Sequence, residues 1–401
     1  DGDVAARDPA AARGTRAGVS RATVDALFAQ AGVVRAADLG ELIDAARILT
    51  DQPLPRGDRL AVVGNAGGVN LLVADAADAH GLRLPDRVAG LDNPLDLGSE
   101  ATDREFTHAL SAVAASGEVD AVLAVIAANR ANDPATLAGA VGAVADRHPE
   151  LPVAAVVLGA ATSAAVGARR VPVYDLPERA VRALGHAAAY AAWRREPLGS
   201  RPALPDVDAT AARAVVRSAL AEGGGWQPPD RVARILSCYG VRLAPPTERE
   251  AARPAAADVV ELVAGVAHDP LFGSLVMVGL GGVHGELLGD RAFRLVPMTD
   301  LDARRMWRSL RGAALLTGHD DAGAGGAGAG DAGVGGAAPV DTAALEDLLL
   351  RLGRLAEDLP EAAALDLSPV LAGPTGVTVV DARLRLAPAG DEPDPALRRL
   401  R

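Results

Sequence analysis

Arg59-Leu-Ala-Val-Val-Gly-Asn-Ala-Gly-Gly68, followed by Val69 to His80 with Leu71, Leu72, Ala74 and Ala77 at helical spacing, is the stretch that decides the fold. Leu60 to Val63 is a short continuous apolar run and reads as a strand buried on both faces. The pattern after Gly68 is helical, so Gly64, Asn65, Ala66, Gly67 and Gly68 must turn the chain from strand to helix. A glycine-rich turn at that place lets bare backbone approach a ligand. The unpaired N–H groups of the first helical turn, with the helix dipole behind them, favour an anion, and phosphate is the natural guest. The blander reading is a tight turn without a ligand. The spacing is not Gly-x-Gly-x-x-Gly, and no acidic residue closes a strand about twenty residues later, which disfavours a nicotinamide dinucleotide.

The same alternation continues downstream. A helical stretch from Thr102 to Ser116 precedes the apolar run Ala121 to Ile126, and helical Leu137 to Arg147 precedes Val153 to Leu158. Helix again follows from Ala180 to Arg195. Buried strands alternating with helices predict an α/β fold with a parallel sheet covered on both faces. Within it, Asn93-Pro-Leu-Asp-Leu-Gly98 leads to Ser99 and Thr102 where a helix should start, which makes a second candidate anion cradle or a simple helix cap.

Outside this unit, residues 1–18 lack apolar periodicity and read as disordered or a linker remnant, and 19–53 as a helical lead-in. The α/β unit is assigned to 54–196 and a proline-bearing linker to 197–206. A second domain, 207–390, opens with helices over Asp208–Glu222 and Asp230–Cys238 and a short strand at Gly240–Leu243. It continues with strands from Val259 and Ser274, helices at Asp300–Leu310 and Thr342–Glu357, and a closing hairpin from Ala364 to Leu386. Residues 321–339 are almost wholly Gly and Ala and are expected to be a mobile loop; 391–401 form a tail.

Composition narrows the function. The 401 residues are 49% apolar but only 2% aromatic, so the cores must be built from Ala, Val and Leu. A net charge of -12 argues against nucleic acid, which needs a concentrated basic surface. Every cationic side chain of the Lys/Arg class is Arg, which excludes a Schiff-base or Walker A lysine and leaves Arg and backbone N–H as anion ligands. A single cysteine, Cys238, and the absence of a long apolar run or signal-like start are read as cytoplasmic, with no membrane span. The first residue, Asp1, is taken as a trimmed start.

The chain resembles the NDP-forming acyl-CoA synthetases, the ADP-forming acetate–CoA ligases. The resemblance is carried by Arg59 to Gly68, Ala74-Asp-Ala76, Asn93-Pro-Leu-Asp-Leu97 and Val119-Asp-Ala-Val-Leu123 for a succinyl-CoA-ligase-like flavodoxin domain. Phe272-Gly273, Gly279-Leu-Gly-Gly-Val283, Glu286-Leu-Leu288, Phe293-Arg-Leu295, Pro297, Thr299-Asp300 and Leu365-Asp366 resemble the later half of an ATP-grasp domain. The closing Asp394-Pro395 and Leu397 to Arg401 resemble the end of longer proteins that carry a GNAT acetyltransferase domain. The resemblance implies a flavodoxin-like domain plus an incomplete ATP-grasp-like domain, handling CoA or acyl-CoA, ATP and Mg²⁺. Gly64 to Gly68, Ser99 and Thr102 would hold phosphate or CoA; Glu286, Asp366 and Asp381 would weakly hold nucleotide or metal. Phosphoryl transfer suits such a site, since it needs positioning and charge stabilisation more than covalent help.

The sequence departs from the family pattern at four places. The family's phosphohistidine segment should fall near Arg13-Gly-Thr15, which has no histidine; the next one downstream is His80. Glu248 to Asp258 stands in place of a much longer segment holding the nucleotide lysine and a His-Lys-Thr. Ala364-Leu-Asp-Leu-Ser-Pro369 has Ser368 where the metal-bearing Asn is expected, and the amino-terminal CoA-binding unit is not in the sequence. Two functional expectations follow, beside a third reading as a truncated gene product without a ligand. One is a degenerate CoA- or phosphate-binding or regulatory module of a GNAT-type acetyltransferase, without catalytic residues of its own. The alternative is an active acid–thiol ligase completed by further segments or by a complementary ligase chain.

His268-Asp269-Pro270 invites a base–orienter reading, but neighbours on an extended segment point to opposite faces. His284 and Glu286 could share a strand face, with only Glu286 matching the family motif. Cys238 reads as an inert thiol, and Trp193 and Trp226 as core or docking residues.

Overall fold

The computed structural model describes residues 21–160, 163–245, 259–269, 272–282, 289–318 and 338–389. The expectations for 1–18, Glu248 to Asp258, His284, Glu286, almost all of the Gly/Ala stretch and the tail lie outside these residues. Two compact units form: Gly32–Glu196, and helix α1 (Arg21–Ala31) together with Pro197–Arg401.

The first unit is a parallel α/β sheet. After α2 (Leu39–Asp51) come β1 (Leu60–Gly64) and α3 (Gly67–Ala79), then a small hairpin of β2 (Arg87–Val88) and β3 (Leu91–Asp92), then β4 (Leu95–Asp96). Next come α4 (Asp103–Ala115), β5 (Ala121–Ala127), α5 (Pro134–Arg147), β6 (Val153–Leu158), β7 (Ala165–Val166), β8 (Val171–Tyr174) and α6 (Pro177–Arg195). The strand order is β4-β1-β5-β6-β8-β7, parallel except for the edge strand β7. All of β1 is buried because alternate residues serve two cores. Ala61 and Val63 pack with Phe106, Leu110 and Val141 of α4 and α5, whereas Leu60 and Val62 pack with Ile48, Val73 and Leu184 of α2, α3 and α6.

β4 is too short to cover β1, and Asn93 supplies what is missing. Its Oδ1 accepts from Val62 N at 2.8 Å and its Nδ2 donates to Leu60 O at 3.0 Å, pairing backbone groups of β1 that β4 does not reach. The residue placed by sequence in an anion cradle therefore acts as a surrogate strand.

The second unit is an antiparallel sheet in the order β12-β11-β10-β13-β15-β9, with β14 paired to β13. Its helices α7 (Ala209–Ala221) and α8 (Pro229–Ser237) flank β9 (Gly225–Trp226), and then come β10 (Val260–Asp269), β11 (Gly273–Leu280) and β12 (Arg291–Leu295). Helices α9 (Asp300–Arg308), α10 (Ala314–Thr317) and α11 (Thr342–Asp358) precede β13 (Ala362–Gly373), β14 (Gly376–Val379) and β15 (Ala382–Leu386). One sheet face, with Leu262, Val276, Leu365 and Leu384, closes on Met306, Leu349 and Leu352 of the helices. On the other face, Leu275 and Leu295 meet Ala26 of α1. The stretch after Pro197 is held to this unit: Asp300 Oδ1 accepts from Ser200 N at 2.7 Å, and Arg351 pairs with Asp206 at 2.8 Å. Among the described residues no helix is long and apolar enough to cross a membrane.

Candidate functional site

The turn between β1 and α3 lies at the carboxyl edge of the parallel sheet. Here β1 leads through α3 to β4 on one side, and β4 leads through α4 to β5 on the other. In open α/β sheets the crevice at such a reversal is the usual ligand position. Asn65 stands in it, and its carboxamide pairs twice with Ala127 at the end of β5. Nδ2 donates to Ala127 O at 3.0 Å and Oδ1 accepts from Ala127 N at 2.7 Å. Its side chain fixes the two strand ends together and is buried, so what it offers a ligand is position, not contact.

Each turn glycine answers to a different neighbour. A Cβ on Gly64 would run into Asn70 Oδ1 and come within 2.8 Å of Val125 Cβ and O. A Cβ on Gly67 would lie 2.6 Å from Asp96 Oδ2, whereas one on Gly68 would enter open space. The first turn of α3 has no side-chain cap, because Ala66 at the N-cap carries no acceptor. The N–H groups of Gly67 and Gly68, at the first two helical positions, have no intrahelical carbonyl to reach. Donors, dipole and free volume thus coincide at Gly68, next to the exposed Asp96 carboxylate, which accepts from Gly98 N at 3.0 Å.

Thr102 and Ser99 stand at the start of α4 on the same edge, in a different chemical state. Thr102 Oγ1 accepts from Glu105 N at 3.3 Å, and Glu105 Oε2 accepts from Thr102 N and Oγ1, both at 2.8 Å, closing a capping box. These bonds hold the Glu105 carboxyl below its ordinary value, the Thr102 backbone N–H first. Ser99 is exposed, and its carbonyl accepts from Asn129 Nδ2 at 2.6 Å and Asn132 Nδ2 at 3.2 Å. The geometry therefore leaves the α3 turn open and fills the α4 start with its own carboxylate.

In the second unit Asp366 and Asp381 come onto one sheet face. Asp366 lies opposite Arg383, Ser368 N donates to Asp381 O at 3.2 Å, and Asp366, Ser368 and Asp381 are all exposed. Among the described residues no three His, Cys, Asp or Glu side chains converge as a metal cluster.

Comparison with known proteins agrees with this architecture. A model of the ATP-grasp domain matches residues 248–386. The ADP-forming acetate–CoA ligase I of Archaeoglobus fulgidus is 24% identical over 447 residues, covering 90% of this chain and 61% of that one. The beta and alpha subunits of the ADP-forming acetate–CoA ligase I of Pyrococcus furiosus are 37% identical over 126 residues and 30% over 188. Those alignments cover 31% and 42% of this chain, and 48% and 40% of the subunits. By these matches the chain is similar to the ADP-forming acyl-CoA synthetases along most of its length and carries an ATP-grasp domain over residues 248–386. It spans about three-fifths of the length of the Archaeoglobus relative.

The histidines of the first unit do not gather at the glycine turn. His80 caps the far end of α3, about 20 Å along the helix from Gly67 at the standard rise per residue. His148 caps the corresponding end of α5, His186 bonds Glu41 Oε1 at 2.7 Å, and His108 is in the second turn of α4. His268 and Asp269 do not form a base–orienter pair: His268 Nδ1 meets Ser274 Oγ at 3.1 Å, while Asp269 accepts from Phe272 N. Cys238 caps α8 with Sγ toward Arg234 O, and burial pushes its thiol up, away from a reactive thiolate.

Sequence reasoning missed Asn70. It is 1% exposed, donates to Leu95 O at 3.2 Å, and its Oδ1 has no partner among the described residues. With Val73 and Ala77 it makes the buried stripe of α3. A polar residue on a core-facing helical stripe was the available signal.

Proposed function

We propose that this chain is a ligand-binding member of the ADP-forming acyl-CoA synthetase family. In this reading the turn Gly64 to Gly68 receives a phosphate group, either free or carried by CoA or acyl-CoA. The observation that carries the proposal is the uncapped first turn of α3 at the sheet reversal, with open space at Gly68. Gly67 and Gly68 would donate, Asn65 would hold the strand ends, and Ser99 and Thr102 would border the site. Asp366 and Asp381 suit a loosely held Mg²⁺ that brings water and nucleotide phosphate as further ligands, since Mg²⁺ needs few protein carboxylates. Bound there, the ion would neutralise the phosphates of ATP or ADP. Glu286 would belong to the same nucleotide side by its resemblance alone.

Binding without turnover is the favoured reading, because no described histidine of the first unit stands at the turn to carry the phosphoryl group. A complementary ligase chain is a suitable partner, as the Pyrococcus furiosus relatives are named as alpha and beta subunits. A GNAT acetyltransferase domain is the other partner implied by the resemblance, and the cytoplasm is the compartment that CoA and nucleotide ligands imply.

Calorimetry of the chain with inorganic phosphate and with CoA tests the proposal. Both are expected to bind, and Asp96→Asn is expected to tighten phosphate several-fold by removing a like charge beside Gly67. Absence of heat with both ligands, or unchanged affinity in Asp96→Asn, would sink the placement at this turn.

A further inference from the structure

The segment that follows Pro197 crosses helix α11 as a strap held at both ends. At one end Ser200 N and Oγ donate to Asp300 Oδ1 and Oδ2 at 2.7 and 3.0 Å, and at the other Asp206 pairs with Arg351 at 2.8 Å. Between these anchors strap and helix stand apart and leave a cavity of about 350 Å³, a size that suits a small molecule. Its walls are apolar: Leu204 on the strap, Leu350 on α11, and the buried Met298 just before α9. Gly353 completes the wall, and a Cβ there would lie 3.3 Å from Met298 Sδ. Glycine is a poor helix former, so its place inside α11 trades helix stability for room.

The rim is charged. Arg201 meets Glu357, Arg354 Nε donates to Asp358 Oδ2 at 2.7 Å, and Arg213 Nη2 donates to Asp358 Oδ1 at 2.9 Å. Three guanidinium groups therefore share two carboxylates, which leaves a local excess of positive charge. Burial pushes the Glu357 carboxyl up against the pull of Arg201, so the group that balances Arg201 is a strained anion. The Arg201 and Arg354 side chains are about half exposed, and among the described residues their hydrogen bonds run through Nη2 and Nε alone. Donors remain on both for a further oxygen ligand.

We propose that this cavity binds a short alkyl carboxylate, its chain against Leu204, Met298, Leu350 and Gly353 and its carboxylate on Arg201 and Arg354. A carboxylate matches the planar fork of a guanidinium, and the apolar wall takes the chain out of water. No histidine, cysteine, serine or threonine side chain is among the described residues that line the cavity, so the ligand is held and not converted. The cavity shares no residue with the glycine turn, and phosphate binding there can fail without touching it.

Calorimetry of the whole chain at neutral pH with butyrate, hexanoate, 1-hexanol and hexylamine tests the assignment. Hexanoate is expected to bind about fifteenfold tighter than butyrate, the ratio that two further buried methylenes give. The uncharged alcohol and the amine are expected to bind roughly tenfold more weakly than hexanoate, since neither uses the guanidinium forks. Gly353→Ala narrows the cavity and is expected to weaken hexanoate about tenfold. Its thermal midpoint should stay level or rise, because alanine suits a helix interior. Arg201→Gln, at a half-exposed position, is expected to weaken hexanoate several-fold, and Glu357→Gln to tighten it several-fold by removing a like charge beside the ligand. Absence of heat with hexanoate, equal affinity for 1-hexanol, or tighter binding of hexylamine overturns the proposal. So does a hexanoate affinity unchanged in both Gly353→Ala and Arg201→Gln, which places the ligand elsewhere on the chain.

Discussion

Helices α3 and α4 start at the same edge of the same sheet and have the same length, 13 residues, yet their first turns are chemically opposite. Helix α4 closes on itself through Thr102 and Glu105, with Asp103 adding a second negative charge to its first turn. Helix α3 has Ala66, Gly67 and Gly68 there, with neither a capping oxygen nor an acidic side chain of its own. Every helix has unpaired N–H groups at its start. What makes one of them an anion site is a sequence that leaves those groups unoccupied. The neighbouring α5 supports the point from the other side, since Asp133 accepts from Ala135 N and Thr136 N and fills its own helix start.

The contrast breaks most visibly at Gly64. Gly64→Ala drives a methyl into Asn70 and Val125 and should destabilise the first unit by about 1–3 kcal/mol, the usual effect of overpacking. Urea unfolding measures it, and an unchanged midpoint would show that the contact relaxes freely. Gly68→Ala should do the reverse to the fold. Its methyl meets nothing within 4 Å, so the fold should gain about 0.5–1 kcal/mol from reduced backbone freedom, while the bound phosphate loses its close approach. A phosphate affinity lowered roughly tenfold in a more stable protein would separate binding from folding, as the loss of one charged hydrogen bond predicts. Equal affinity in Gly68→Ala would remove the turn from the binding site.

The open half of the comparison was legible in sequence because both of its signals are local. An apolar run and a helical period bracket the glycines, and the turn follows. The capping role of Thr102 was legible for the same reason, as one of two readings. Asn93 was misread because its task depends on the shortness of β4, which only the register shows. Strands β8, β9 and β12 were not singled out either: Val171-Pro-Val-Tyr174 is interrupted by proline, and Gly225–Trp226 is only two residues long. Trp226 was expected in a core or docking surface, and it is too exposed to be core. Which face it occupies is settled by pairing with Arg385, a partner far away in sequence.

The closed half of the comparison makes smaller predictions. Thr102→Ala removes the hydroxyl that accepts from Glu105 N and should cost about 1 kcal/mol of stability, as helix caps usually do. Phosphate and CoA affinities should stay as they are, measured by calorimetry beside the thermal unfolding. A drop in affinity as large as that in Gly68→Ala would mean that the two helix starts act as one site, and the contrast between them would fail.

The smallest effect is one of pH. Glu105 accepts from Thr102 N, and its folded-state carboxyl lies below the ordinary 4.5. A group with a depressed folded-state value contributes fully above its unfolded value and loses that contribution as pH falls through the folded one. The capping box should therefore be intact above pH 4.5 and open as acid protonates Glu105. Hydrogen-exchange protection of the Thr102 and Glu105 amides should fall through that window. The Gly67 and Gly68 amides have no carboxylate box to lose and should show no matching step. Glu105→Gln should abolish the α4 step because the side chain no longer titrates. If the step persists in that variant, or appears equally in α3, then the charge at α4 is not what distinguishes the two helix starts.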